Sequence, residues 1–189
     1  MKYSDPASMI RTADVVKEGR GAYYNLLAKA RAGELVRIRP GVYATWEHLS
    51  GNMIDIETIV PDCILCRFSA WNLHGLSTVV PQSIEVTVKR GRRVRLPGYP
   101  AISLHYQAEP AFSLGAEDMT IDGHTVRVYN AERCVCDAIK YRNKIGMEVC
   151  AEILNNYLER PGRNLPLLMD YARQLRVANT LGKYLEIKL

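Results

Sequence analysis

The sequence lacks any long apolar run. No stretch approaches the roughly 18–20 consecutive apolar residues of a membrane-spanning helix. The first residues, MKYSDPAS, include the acidic Asp5 and lack the apolar core of a signal peptide. We therefore expect a cytoplasmic protein that does not bind membranes. Disorder is not expected away from the ends, because 48% of the 189 residues are hydrophobic and 24% are charged.

Common catalytic motifs are also absent. No nucleophile elbow, P-loop or dinucleotide-binding fingerprint is present. A metal-dependent nuclease would have to use Asp62, Glu85 and Lys89. Glu85 and Lys89 stand four residues apart, whereas strands of such enzymes usually place the acid and the lysine two apart. His74, in WNLHGL, is expected to pack or to end a helix rather than to act in catalysis. We therefore expect no catalytic residues, no enzyme activity and no cofactor.

The metal-binding patterns are incomplete. The five cysteines are odd in number and lie in apolar surroundings, which suits a reducing compartment. Cys63 and Cys66 have a C-x-x-C spacing, and Cys134 and Cys136 have a C-x-C spacing. Neither a second C-x-x-C nor paired histidines complete a zinc site. We expect these thiols to be buried as small hydrophobic groups, with no bound metal.

Positive charge is in excess. The formal net charge is +5, and residues 1–50 carry eight cations against five acids. The densest basic segment is KRGRRVR, whose cations are Lys89, Arg90, Arg92, Arg93 and Arg95. As a hairpin tip, this segment can make a secondary contact with a phosphate backbone. It can equally be a solvated tip that stops an edge strand from pairing with other chains, and the sequence leaves both interpretations open.

The N-terminal segment predicts two short helices. Residues 9–18, MIRTADVVKE, can form a helix with Thr12 as its N-cap, and Gly19 stands where that helix would stop. The next segment, AYYNLLAKARAG, spaces its apolar residues three and four apart, as on one helical face. Gly33 is the C-cap candidate of this second helix.

A β-hairpin is predicted next, in GELVRIRPGVYAT. Its period of two places Leu35, Arg37 and Arg39 on one face and Val36 and Ile38 on the core side. A Pro-Gly turn then leads into VYAT, which returns as the second strand. Helix, tight turn, helix and hairpin is the order of a winged helix-turn-helix, which we predict as the first domain, over residues 1–48.

This domain supplies the candidate DNA-binding residues. They are Arg20, Tyr23, Tyr24, Asn25, Lys29, Arg37 and Arg39. The second helix of such a motif enters the major groove of double-stranded DNA, where Asn25 can read adenine and Arg20 can read guanine or hold a phosphate. Arg37 and Arg39 can hold backbone phosphates, which position a protein without reading sequence. The alternative is that this unit packs on the rest of the protein and its charges are merely solvated.

Residues 49–189 predict a mixed α/β second domain. Two helical pieces separated by Pro61 come first, and Gly75 ends the second. Strands are predicted within about 83–129, with a hairpin at Asp122-Gly123, and helices within about 130–187. The first of these helices begins after Asn130 as its cap, and we expect a buried Arg133–Asp137 pair to fix it to the sheet. The fold class is therefore α+β: a winged helix followed by a small mixed sheet and a helical block.

Several segments together resemble the AbiEi-type antitoxins. They are ELVRIRPGVYAT, RFSAWNLHGLSTVVPQSIEVTVKRGRR and the helical block that begins NAERCVCDAIKYRNKIG. The likeness extends from about Ile10 to the end of the chain. Cys134 departs from the pattern, because the family commonly has threonine there.

The resemblance implies a transcriptional repressor that is the antitoxin of a type IV toxin–antitoxin pair of the abortive-infection kind. Such a protein would bind its own promoter DNA through Arg20, Tyr24, Asn25, Arg37 and Arg39. Its toxin would resemble a nucleotidyltransferase and would form no stable complex with it. The alternatives are a protein-interaction module without sequence-specific DNA binding and, less favoured, a nuclease-like enzyme.

Overall fold

The fold is described here from a computed structural model over residues 9–45, 56–121 and 124–188. These ranges contain eight helices and two sheets, which confirms the predicted α+β class with its C-terminal helical block. The strands are β1 (Ile10–Arg11), β2 (Leu35–Arg39), β3 (Val42–Thr45), β4 (Ile64–Leu65), β5 (Ile84–Lys89), β6 (Ile102–Gln107), β7 (Ala116–Ile121) and β8 (His124–Tyr129). The helices are α1 (Thr12–Lys17), α2 (Arg20–Arg31), α3 (Ile56–Ile59), α4 (Arg67–Leu73), α5 (Ala131–Ile145), α6 (Met147–Glu159), α7 (Leu165–Gln174) and α8 (Ala178–Lys188). None of these helices is long and apolar enough to cross a membrane.

The chain divides into two compact units. The first comprises Met1–Pro61, Arg93–Ala101 and Ile121–His124, and the second comprises Asp62–Arg92, Ile102–Thr120 and Thr125–Leu189. This division does not coincide with the predicted boundary between residues 48 and 49. It also runs through the basic segment, because Lys89, Arg90 and Arg92 belong to the second unit, whereas Arg93 and Arg95 belong to the first.

In the first unit, helices α1 and α2 pack against a three-stranded antiparallel sheet in the order β1-β3-β2. Val15, Leu26, Leu35 and Tyr43 form its apolar core. The prediction of Thr12 as N-cap is wrong, because Thr12 is the first residue of α1. Its N–H donates to the carbonyl of Gly41 at 2.8 Å, so the hairpin satisfies an amide that a capping side chain would otherwise bind.

Helix α2 ends one residue earlier than predicted, because its C-cap is Ala32 rather than Gly33. Gly33 follows the C-cap with φ +79°, a left-handed conformation that glycine adopts without strain. Its N–H donates to the carbonyl of Ala30, and the N–H of Glu34 donates to the carbonyl of Lys29 at 3.0 Å. These two bonds form a Schellman motif, which closes the helix and turns the chain into β2.

The β2–β3 hairpin forms as predicted, with a two-residue turn at Pro40-Gly41. Its predicted faces are wrong in one respect, because Leu35 is only 7% exposed and packs with Val15 and Leu26 in the core. Ile38 is buried as expected. Consecutive residues of β3, Val42, Tyr43 and Ala44, are also buried, so both faces of the hairpin are covered and residues on either face can be buried.

The second unit contains a mixed five-stranded sheet in the order β6-β5-β4-β8-β7. Its middle strand, Ile64–Leu65, lies where the sequence predicted a loop or helix next to Pro61. A short apolar run such as CILC has no periodicity that distinguishes a buried strand from a buried helix. This short strand pairs antiparallel with β5 and parallel with β8, through Leu65 and Val128. The predicted turn at Asp122-Gly123 lies outside the described residues.

Helices α5 to α8 follow the predicted positions closely. The side chain of Asn130 accepts a hydrogen bond from the N–H of Arg133 at 3.0 Å and thereby caps α5. On α6, Cys150 is buried as expected for the thiols, and Tyr157 is buried too, whereas Met147 is 48% exposed. Met147 is the first residue of α6, and its side chain lies outside the core at that end.

The predicted Arg133–Asp137 pair is confirmed and is fully buried. The two side chains approach to 3.2 Å through Nε and Oδ1. The other guanidinium nitrogens make hydrogen bonds: Nη1 donates to the carbonyls of Ala111 and Leu114, and Nη2 donates to Oε1 of Gln107 at 2.8 Å. Arg133 thus joins α5 to the turn that precedes β7 and to the end of β6.

Candidate nucleic-acid interface

The exposed face of α2 presents four of the predicted DNA-binding residues. Arg20 and Tyr24 are four residues apart, as are Asn25 and Lys29, so each pair lies on one side of the helix. Arg20 and Lys29 are exposed, Tyr24 is 67% exposed, and Asn25 is half-buried. Leu26, on the opposite side, is buried in the core. The burial of that side orients the polar face of α2 outward.

Tyr23 lies at the border of this face. It is half-buried, and its ring centroid is 5.9 Å from that of Tyr24 with the planes tilted by 59°. This places it between the apolar core and the exposed residues. Tyr23 can therefore support the Tyr24 ring more readily than it can contact a ligand itself.

Arg37 lies on the side of the hairpin that faces α1 and α2. It is two residues from Leu35, so their side chains share a face, and its partner across the hairpin is the buried Tyr43. Arg37 itself is exposed. The hairpin therefore presents this guanidinium on the same side as α2. The side chain of Arg39 lies outside the described part of the chain.

These elements carry no acidic residue. Helix α2 and strands β2 and β3 contain only cationic charges. Across its described residues, the first unit has nine cations and four acids. The cations are Arg11, Lys17, Arg20, Lys29, Arg31, Arg37, Arg39, Arg93 and Arg95, and the acids are Asp14, Glu18, Glu34 and Glu57.

Lys17 of this unit pairs with Asp14 at 3.0 Å. Arg20, Lys29 and Arg37 have no carboxylate within 4.0 Å among the described residues. Unpaired exposed cations on one surface create a positive potential that attracts polyanions. Arg31, at the C-terminal end of α2, is a further exposed cation that the sequence-based selection omitted.

The basic segment predicted as a secondary contact is divided between the two units. Lys89 lies 3.6 Å from Glu109, and Arg92 lies 3.9 Å from Asp62. A cavity of about 390 Å³ in the second unit is lined by Asp62, Lys89, Arg90, Arg92 and Phe112. The carboxylates of Asp62 and Glu109 offset part of the positive charge there.

Arg95 instead borders a cavity of about 340 Å³ in the first unit, beside the hairpin. The residues that line this cavity are Arg37, Ile38, Pro40, Arg95, Leu96, Pro97 and Gly98. This proximity was not predictable, because Arg95 follows Arg37 by 58 residues and lies in a segment without regular structure. Arg37 and Arg95, which were predicted to make two different contacts, therefore line the same cavity.

The candidate nuclease residues have three different partners. Glu85 faces His105, with 3.5 Å between Oε2 and Nε2, whereas Lys89 pairs with Glu109 and Asp62 with Arg92. Asp62 and Lys89 border the same cavity, but Glu85 does not line it.

His74 ends helix α4, as predicted. It is the C-cap residue, and its Nε2 lies 2.8 Å from the carbonyl oxygen of Tyr129. Burial lowers the pKa of His74, which favours the neutral ring. The neutral tautomer with a proton on Nε2 donates to this carbonyl. His74 thus acts as a structural connection between α4 and the end of β8.

All five thiols are free and buried, which confirms the expected burial. Burial raises the pKa of Cys66 and Cys134, and it raises the pKa of Cys136 to about 12. The Cys134 thiol donates to the carbonyl of Tyr129 at 3.4 Å, so it retains a hydrogen bond at the position where the resembled family commonly has threonine. The described residues contain no group of three or more potential His, Cys, Asp or Glu ligands for a metal ion.

Comparison with known proteins adds no relative. No family model matches the chain, and no curated protein matches it either.

Proposed function

We propose that this protein is a DNA-binding transcriptional repressor that acts as the antitoxin of a type IV toxin–antitoxin pair. The observation that supports DNA binding is the acid-free surface formed by α2 and the β2–β3 hairpin. Arg20, Lys29 and Arg37 are exposed there and have no ion-pair partner among the described residues. Such a surface matches the negative charge of a phosphate backbone.

In this proposal, α2 is the recognition helix of a winged helix-turn-helix. Its outward residues enter the major groove, where the amide of Asn25 can bond the N6 and N7 edge of adenine. Arg20 reads guanine or holds a phosphate, and Tyr24 contacts the groove wall. Arg37, on the hairpin, holds a phosphate of the backbone. The surface thus combines side chains that read bases with side chains that hold the backbone.

The antitoxin role rests on the resemblance alone. We assign it to the second unit, with a nucleotidyltransferase-like toxin as functional partner and without a stable complex. The cytoplasm is the matching compartment, because it holds the DNA and keeps the five thiols reduced. Growth rescue tests this role: co-expression should relieve the toxicity of the product of the adjacent gene, whereas co-purification at moderate salt should recover no complex.

DNA binding is tested by fluorescence anisotropy with a labelled duplex from upstream of the gene and a scrambled duplex of equal length. Asn25→Ala should lower the discrimination between the two by about 1–3 kcal/mol. Arg37→Ala should weaken binding to both and reduce the salt slope by about 1. Absence of wild-type binding at 50 mM salt, together with recovery of a protein partner at high salt, would favour the alternative of an interaction module.

A further inference from the structure

The cavity beside the hairpin has a chemical composition that the proposed recognition surface does not explain. Arg37 and Arg95 supply two guanidinium groups, and Ile38, Leu96 and Pro97 supply apolar wall. Its volume of about 340 Å³ falls in the range of small-ligand sites, which is about 300–1,000 Å³. None of the described residues that line it is acidic.

We propose that this cavity binds a sugar-phosphate unit. Guanidinium groups bind phosphate oxygens through paired N–H donors, so Arg37 and Arg95 would hold the phosphate. The apolar wall of Ile38, Leu96 and Pro97 suits the carbon face of a pentose. Gly98 has no side chain and leaves room for it.

The position of strand β2 makes the cavity accessible to a ligand. The strand lies at the edge of the three-stranded sheet, so residues from both of its faces can border a cavity at that edge. Ile38 is only 2% exposed and anchors the base of the wall, whereas Leu96 is 39% exposed and lies nearer the opening. Arg37 and Arg95 are both exposed and have no carboxylate within 4.0 Å among the described residues. Both guanidiniums therefore remain available to an anion.

A sugar-phosphate can come from two sources. In the first, the unit belongs to the backbone of the bound duplex, and this form of the inference rests on the proposed function. Arg95 would then extend the DNA contact beyond the winged helix to residues 95–98. In the second, the ligand is a free nucleotide, and the cavity is a separate small-molecule site.

The duplex arm measures anisotropy with the upstream duplex as a function of salt concentration. Arg95→Ala should weaken binding and lower the slope of log K against log salt by about 0.9, the value for one phosphate contact. Arg95→Lys should retain the slope because it retains the charge. Leu96→Ala should weaken binding without changing the slope, because it removes apolar contact only. Arg163→Ala, an exposed arginine of the second unit, is the matched control and should leave both quantities unchanged.

The nucleotide arm uses NMR of the full chain with thymidine 5′-monophosphate as the probe. Binding should shift the amide signals of Leu96 and Gly98, and the shifts should be absent with thymidine or with Arg95→Ala. Saturable shifts that Arg95→Ala abolishes support the cavity with a free nucleotide as its ligand. A reduced salt slope in the duplex arm supports it with DNA as its ligand.

The two proposals can fail separately. Suppose that the wild type binds DNA, that Arg95→Ala leaves the salt slope unchanged and that the nucleotide shifts no amide signal. The cavity proposal is then wrong, and the proposed function stands. If the wild type binds no DNA but the nucleotide shifts the two amides, the proposed function is wrong and the cavity stands. Absence of both effects contradicts both. Circular dichroism of each variant should match the wild type, because Arg95 and Leu96 are exposed and their loss leaves the core intact.

Discussion

The two units contain arginines in opposite environments. In the described part of the first unit, Arg20, Lys29 and Arg37 are exposed on elements that contain no acid. The second unit has fifteen cations against twelve acids in its described residues. There Arg133 is completely buried and is bonded to a carboxylate, two carbonyls and an amide.

This difference distinguishes charged side chains that stabilise the folded protein from charged side chains that are available to a binding partner. A buried guanidinium is tolerated only when its donors are satisfied, and removing its partner leaves an uncompensated charge. An exposed cation contributes little to folding, yet a group of them creates a field that attracts polyanions. The same residue type therefore predicts a large stability effect in one unit and a large binding effect in the other.

The largest expected effect is at Arg133. Arg133→Met should lower the free energy of unfolding by about 3–5 kcal/mol, because it leaves Asp137 buried without its partner. Equilibrium unfolding in urea measures this loss. The double variant Arg133→Met/Asp137→Leu should recover part of it, since the unpaired carboxylate is then gone. A double variant no more stable than the single one would show that the lost carbonyl and amide contacts, rather than the ion pair, determine the cost.

Gly115 tests how tightly the second unit packs around Arg133. It has φ +74°, and an added Cβ would lie 2.7 Å from Cβ of Arg133 and 3.0 Å from Oδ1 of Asn130. Gly115→Ala should therefore cost about 3 kcal/mol of unfolding free energy. Gly162→Ala is the matched control, because its φ is +82° but nothing lies within 4 Å. It should cost only about 1 kcal/mol, and equal losses would mean that the close contacts relax.

Glu152 tests a smaller charge effect in the second unit. Its carboxylate accepts hydrogen bonds from the Thr78 N–H at 2.7 Å, the Thr78 hydroxyl and the Ser77 hydroxyl. The pKa of Glu152 is lowered, and the hydrogen bond from the Thr78 N–H is the largest cause. The hydrogen bonds from the two hydroxyls lower this pKa as well. Its stabilising contribution is therefore present above the usual carboxyl pKa and is lost as pH falls through the lowered value.

Glu152→Gln should accordingly be less stable than the wild type near neutral pH, by at most about 1 kcal/mol because solvent screens the site. The difference should shrink as pH falls from 6 to 3. Thermal unfolding at several pH values measures this, and a difference that is constant with pH would contradict the assignment.

The smallest stability effects are expected in the first unit. Arg20→Ala, Lys29→Ala and Arg37→Ala should each change the free energy of unfolding by less than about 0.5 kcal/mol. Urea unfolding of each variant beside Arg163→Ala provides the comparison. A loss above about 2 kcal/mol for any of the three would place that residue among the structural charges and would remove the contrast between the units.

Local signals in the sequence predict much of this fold. Asn130 and Gly146 mark the ends of α5, because a capping side chain and a left-handed glycine act on the nearest turn of the chain. Gly33 ends α2 for the same reason. Leu26, Leu27 and Ala30 could be placed on one apolar helix face from their spacing, since helical periodicity is also local.

Features that depend on distant residues were not predictable. Ile64–Leu65 is a strand only because β5 and β8 pair with it from either side. Leu35 belongs to the core because Val15 of α1 and Leu26 of α2 pack against its face of the hairpin. Arg95 borders the hairpin through a loop without periodicity. Each depends on contacts far apart in the sequence, which neither spacing nor composition records.

The salt dependence of DNA binding tests the central claim most directly. The triple variant Arg20→Ala/Lys29→Ala/Arg37→Ala is compared with Lys144→Ala/Arg163→Ala/Arg173→Ala, which removes three exposed cations of the second unit. Both lower the net charge equally. We predict that the first variant lowers the slope of log K against log salt by about 2.7, at about 0.9 for each phosphate contact, while the second retains the wild-type slope. Equal slopes for the two variants would contradict the assignment of DNA binding to α2 and the hairpin.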